Sequence, residues 1–256
     1  MKLVYCTIIS ILVILLAPGC SGKKAAKKEA AAAADTTSVP DTGYTGIKKY
    51  YSNDYLIKEV TFRNGVREGE MKSFYQGGQV YQRFWYEKGL REDSAVWYYL
   101  EGQVFRTTPY KHDTVDGIQK QYYRNGDLKA EIGYSKGRRS TFIKEYDKAG
   151  KLISGYPGIV YETQDNYKTT GQYTITLGLT DKSAKVTFYR GELPGGIFDT
   201  AKCVKLKTIG GKPAILLKKT GSPQKEYAGV IAEIVTQMGN KYIAGKKIDL
   251  PYKDLK

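Results

Sequence analysis

The sequence predicts an all-β chain: a meandering array of antiparallel β-hairpin repeats followed by a small β-sandwich. Three observations predict it. Residues 44–154 repeat about every 24 residues. Each period holds two strand-length runs rich in aromatic and β-branched residues, parted by turn residues. Residues 155–256 lose that period but keep short alternating runs between Gly- and Pro-containing turns.

The repeat is legible column by column. Tyr50-Tyr51, Phe74-Tyr75, Tyr98-Tyr99 and Tyr122-Tyr123 fall in register, with Tyr146-Asp147 last. A turn follows at Asp54, Gly78, Gly102, Gly126 and Gly150, then an aliphatic at Leu56, Val80, Val104, Leu128 and Leu152. An aromatic comes next, at Phe62, Tyr86, Tyr110 and Tyr134, and a second turn at Gly65, Gly89, Asp113 and Gly137. Asn-Gly between strand-like runs, as at Asn125-Gly126 and Asn64-Gly65, signals a tight hairpin, because both residues accept positive φ. One hairpin is marginal in water, whereas stacked copies support one another.

Successive strand residues point to opposite faces. Tyr51, Tyr75, Tyr99 and Tyr123 therefore form one ladder, and Phe74, Tyr98, Tyr122 and Tyr146 another. One ladder is expected to be core and the other at least partly exposed. Tyrosine offers contact area together with a hydroxyl, which suits a binding face. Tyr51, Tyr75, Tyr99 and Tyr123 are therefore the candidate binding residues.

This order of strand, Tyr-Tyr, Asn-Gly or Glu-Gly turn, strand, Tyr and Lys-Gly turn resembles the bacterial variant of the MORN repeat. The resemblance covers about 110 residues. It implies a non-enzymatic scaffold and carries no catalytic motif. Some proteins with such repeats are labelled antitoxin components, so a neutralising protein is the alternative it implies. Asp54 and Asp113 stand where turn glycines are usual, and Asp147 replaces a tyrosine, as degenerate or terminal copies would.

Beyond Tyr156-Pro157-Gly158, strands are expected over 172–179, 184–190, 203–209, 213–218 and 227–237. Their spacing suggests an Ig-like antiparallel sandwich in architecture, without the Cys…Trp…Cys signature of true immunoglobulin domains. Residues 228–238 fit a helical period too, but Val230, Ile231, Ile234 and Val235 favour strand.

At the N-terminus, Lys2 precedes a nearly unbroken apolar run from Leu3 to Leu16. That run is too short to span a bilayer, which takes ~20 residues. It suits a secretory signal peptide over residues 1–19. Ala17-Pro18-Gly19-Cys20 resembles the lipobox of bacterial lipoproteins, with Pro18 off-pattern. The resemblance implies a lipid on Cys20, membrane attachment through it and a place in the cell envelope. Ser21 points to the outer membrane by the sorting rule of such lipoproteins. Residues 20–43, rich in Lys, Ala and Thr, cannot bury enough surface to order themselves and read as a tether.

Three cysteines leave little redox chemistry: Cys6 departs with the signal, Cys20 is lipidated and Cys203 remains alone. Cys203 is expected to be a buried small hydrophobe. With a single histidine, His112, neither a zinc site nor a catalytic triad can be assembled convincingly. No phosphate loop or dinucleotide fingerprint occurs, and no cofactor is expected. Glu68 with Glu70, and Glu92 with Asp93, are the carboxylate pairs that a glycan hydrolase would use. Their equivalent turn positions favour solvated surface instead. The net charge of +15 is spread through both regions without a stripe, so no nucleic-acid partner is expected. The sequence thus predicts an envelope scaffold that binds a protein or polymer, with no enzymatic activity.

Overall fold

The computed structural model describes residues 43–182 and 185–256. The expected signal peptide, Cys20, the tether up to residue 42, and Ala184 lie outside the described residues.

The repeats fold into one ten-stranded antiparallel sheet. Its strands are β1 (Gly46–Ser52), β2 (Tyr55–Arg63), β3 (Val66–Phe74), β4 (Val80–Glu87), β5 (Leu90–Tyr98), β6 (Val104–Lys111), β7 (Thr114–Val115), β8 (Gly117–Tyr122), β9 (Leu128–Ser135) and β10 (Arg138–Glu145). Neighbours in sequence are neighbours in space, except that β8 rejoins β6 beside the short β7.

Two kinds of turn alternate, and the glycine columns specify both. Asn64-Gly65, Lys88-Gly89, His112-Asp113 and Lys136-Gly137 have positive φ at both positions, the pattern of a two-residue type I′ hairpin. At the other turns only the glycine does so. The amide of Gly78 donates to the Tyr75 carbonyl (2.9 Å), and the Tyr75 amide donates to Gln79 (2.8 Å). Asn125-Gly126 belongs to this second kind, so it is a longer turn than the dipeptide suggests. Asn53-Asp54 departs the other way, with positive φ at both residues.

The register separates the two faces. A single cross-strand row runs through Lys49, Glu59, Lys72, Arg83, Val96, Thr107, Lys120, Glu131 and Lys144 on the open face. On the other face Val60, Met71, Phe84, Tyr86, Ala95 and Trp97 form a buried cluster. The core column is therefore mid-strand, and neither tyrosine ladder supplies it. Arginines lie across this face: Arg67 over the Tyr86 ring at 5.2 Å, Arg91 over Tyr110 at 4.5 Å and Arg106 over Trp97 at 4.1 Å. Guanidinium planes thus cover aromatic rings, and the Arg106 Nε is itself buried there. A single-layer sheet can bury its apolar side chains in this way.

The second region is a sandwich of β11 (Ile159–Asn166), β12 (Gln172–Leu179), β13 (Val186–Arg190), β14 (Val204–Lys205), β15 (Thr208–Ile209), β16 (Lys212–Lys218), β17 (Tyr227–Val235) and β18 (Lys241–Asp249). Its sheets run β11-β12-β16-β15 and β14-β13-β17-β18. Lettered A, B, C, C′, D, E, F and G in chain order, they read A-B-E-D and C′-C-F-G, the strand order of immunoglobulin sandwiches. Ile175, Leu177 and Leu217 of one sheet face Phe188, Val230 and Ile234 of the other in a shared core. One helical turn, α1 (Tyr167–Thr170), links β11 to β12.

Residues 227–235 are a strand, not a helix. Their doubtful period has a cause: β17 is covered on both faces, with Val230 and Ile234 in the main core and Ile231 beneath Phe198. The expected strand over 203–209 is two strands, because the chain crosses from one sheet to the other at Leu206-Lys207. β11 and β18 were not foreseen. β11 buries only Ile159, and β18 carries three lysines, so neither shows a clear apolar alternation.

The sandwich covers the last edge of the repeat sheet. Ile197 forms an antiparallel bridge with Ser140 of β10, and the Phe198 amide donates to the Arg139 carbonyl at 2.8 Å. Asp199 pairs with Arg138 at 3.1 Å. Glu145, at the end of β10, is 1 % exposed. Its carboxylate accepts from Thr236 Oγ1 (2.8 Å), Asn240 Nδ2 (2.7 Å) and the Tyr156 hydroxyl (3.1 Å). Gln121 reaches the same Asn240 at 3.0 Å. No helix among the described residues is long and apolar enough to cross a membrane.

Candidate binding surface

The ladder of candidate tyrosines divides into one free member and three engaged ones. The Tyr75 hydroxyl donates to the Tyr98 carbonyl (2.9 Å), Tyr99 to Tyr122 (2.9 Å) and Tyr123 to Tyr146 (2.8 Å). Each bond spans 23 residues, so each tyrosine stitches its own repeat to the next. Burial raises all three phenols above their ordinary value, so they remain donors at neutral pH. Their rings are half-buried. Tyr75 packs edge-on against Tyr81 and Tyr99 against Phe105, at centroid distances of 5.1 and 5.2 Å.

Tyr51 belongs to the same column but is 60 % exposed. It lies at the start of the sheet, where β1 has β2 on one side and no described strand on the other. Ile47 (56 % exposed), Tyr55 (47 %) and Ile57 (40 %) are exposed on the same two strands, with Tyr55 opposite Ser52 and so on the face away from Tyr51. These three were not singled out from the sequence. The available signal was that the first repeat has no predecessor to pack on. Further along the same sheet, Trp85 is also exposed, and its register partners are Glu70 and Glu92.

The carboxylate pairs serve the backbone. Glu68 accepts the Lys88 amide (2.7 Å), Glu92 the His112 amide (2.8 Å) and Asp116 the Lys136 amide (3.4 Å). Those donors are the first residues of successive type I′ turns, so each acid holds the turn of the next repeat. Glu70 is paired with Lys72 at 2.6 Å and Arg83 at 3.6 Å. Asp93 has φ 58° at the position that Gly69 and Gly117 occupy in neighbouring copies, also with positive φ. It is a bulge residue rather than half of an acid pair. His112 is a turn residue with an exposed side chain, its Nδ1 3.5 Å from Glu92.

Asp113, in the place of a turn glycine, has taken on a role. Burial pushes its carboxyl up, but two hydrogen bonds from Arg91 and that residue's charge outweigh burial and hold it below the usual value. Cys203 is half-buried against Gly191. Burial, reinforced by the charge of Asp199, pushes its thiol up, which disfavours the thiolate a nucleophile needs. Among the described residues no cluster of three or more His, Cys, Asp or Glu is arranged to hold a metal.

These geometric periods agree with the comparison to known families. No curated protein matches the chain. Two stretches, residues 67–88 and 115–136, match the MORN repeat variant. They lie two periods apart, and the copy between them carries Asp93 and Asp113 in the places of glycines.

Proposed function

We propose that the protein is a non-enzymatic binding scaffold of the cell envelope, tethered by a lipid on Cys20, that holds a protein partner at the open first edge of its repeat sheet. The observation that carries this reading is the contrast along one column. Tyr75, Tyr99 and Tyr123 spend their hydroxyls on the array, whereas Tyr51 is exposed on the edge strand that also carries the exposed Ile47. Among the described residues the array is covered at its last edge, while its first edge presents backbone groups together with the exposed Tyr51 and Ile47. Tyrosine and isoleucine at an exposed sheet edge suit an extended partner segment, which gains main-chain hydrogen bonds and side-chain contacts together.

The test is a crosslinked pull-down from native membranes with the full chain. Three baits are compared: the parent, Tyr51→Ser with Ile47→Ser, and Tyr75→Phe with Tyr99→Phe and Tyr123→Phe. A specific protein recovered by the parent and the triple Phe variant, but lost with the first-edge variant, supports the reading. Equal recovery by all three refutes it. Recovery of envelope polymer alone moves the reading to a wall-surface binder.

A further inference from the structure

We infer that one side edge of the sandwich, residues 202–212, docks on an anionic phospholipid bilayer. This is separate from the tether and from the first edge of the repeat sheet. The chain leaves edge strand β14 at Lys205, crosses at Leu206-Lys207 and enters edge strand β15, so both sheets contribute to one margin. Leu206 turns inward to the core, which fixes the crossing. What remains outside is of two kinds.

Lys202, Lys205, Lys207 and Lys212 are exposed, and Arg190 lies opposite Val204 in the register. Residues 200–224 contain no acidic residue at all. Among the described residues, the carboxylate paired with this group is Glu162, 3.7 Å from Lys212. Between the lysines, Val204 is 68 % exposed and Ile209 is 49 % exposed. Ile209 precedes Gly210-Gly211, both at positive φ, which form the tip of the β15–β16 turn.

Lysines alone would suit any polyanion. Exposed apolar residues interspersed with lysines along one margin, one of them beside a hairpin tip, suit an interface that is charged at its surface and apolar just beneath. Charge brings the edge to the headgroups, and Ile209 with Val204 enters the acyl boundary. The long lysine side chains can reach up to headgroups from that depth.

The test introduces Ile209→Trp into the full chain and follows the emission added over native Trp85 and Trp97. The vesicles are phosphatidylcholine, or a two-to-one mixture of phosphatidylcholine and phosphatidylglycerol, each with brominated acyl chains. The expected result is blue-shifted, quenched emission on the mixed vesicles and neither change on phosphatidylcholine alone. Changing Lys205, Lys207 and Lys212 to Gln on that background weakens docking about fivefold per lysine. Val204→Trp serves as a second reporter if the first disturbs the turn. Unchanged emission on both vesicles overturns the inference. So does lysine-dependent binding to soluble polyphosphate without quenching on vesicles, which would make a polymer the ligand.

Discussion

The hydroxyl of Tyr99 donates to the backbone carbonyl of Tyr122, 23 residues further on and 2.9 Å away. The same bond recurs one repeat earlier and one repeat later. A column that looks like an exposed recognition ladder is thus largely a series of stitches between repeats. Each stitch closes a long-range contact at the strand end, where the ladder of backbone bonds is about to turn. Tyr99→Phe keeps the ring against Phe105 and removes only this bond. It is expected to cost about 1 kcal/mol, read as a lower urea midpoint at unchanged slope. Tyr51→Phe is expected to leave the midpoint where it was.

The type I′ turns carry a correctable strain. Lys136 has φ 47° ahead of Gly137. A side chain with a Cβ disfavours that region, and asparagine tolerates it best. Its backbone amide, which donates to Asp116, is untouched by substitution. Lys136→Asn is expected to stabilise the chain by about 0.5 kcal/mol, seen as a higher melting temperature. A fall would mean that the lysine side chain contributes something beyond its conformation.

Glu145 joins the last repeat strand to the sandwich through three donors. Glu145→Ala leaves those donors facing one another without an acceptor, at an expected cost of about 3 kcal/mol. Glu145→Gln keeps one oxygen for Thr236 and Asn240, and its amide can donate to the Tyr156 oxygen, so the cost is expected below about 1 kcal/mol. Calorimetry of the two variants separates them. Equal losses would show that charge, not acceptor geometry, holds this junction.

The partner phenol, Tyr156, sets an alkaline limit. Burial first, and then the charge and hydrogen bond of Glu145, raise it well above its ordinary value. It also stacks on Tyr242 at 4.6 Å. A group raised in the folded state contributes stability that is complete below its unfolded value, about 10 for tyrosine. That contribution is lost as pH climbs from there through the folded value. Stability is therefore expected to fall progressively above about pH 10, and Tyr156→Phe to flatten part of that fall. An identical profile in the variant would place the alkaline sensitivity elsewhere.

Cys203 gives a check on the chemistry. Its raised thiol is expected to react slowly with a disulfide reagent at neutral pH in the folded chain, and quickly once denaturant is added. Fast reaction in the folded state would contradict the packing against Gly191.

The sequence by itself determined the repeat period, the order of hairpin strands within the array and the position of its turns, though not the type of every turn, as Asn125-Gly126 shows. Those follow from local rules: glycine or asparagine where φ is positive, alternation where a strand has two faces, and equal spacing where units stack. For the same reason the strand over 172–179 was readable from its alternation, whereas the expected strand over 227–237 competed with a helical period because β17 is apolar on both faces. The tertiary structure alone decided which face was covered and by what. Alternation says that Tyr75 and Phe74 point opposite ways, but not that a mid-strand cluster under arginines is the core. It cannot show that a tyrosine hydroxyl reaches a carbonyl 23 residues away, or that Glu68 and Glu92 cap the next turn. Nor can it show that Ile197 and Phe198 seal β10 while β1 has no second neighbour among the described strands. These contacts join segments far apart in the chain, and their energies depend on distance and burial rather than on residue order.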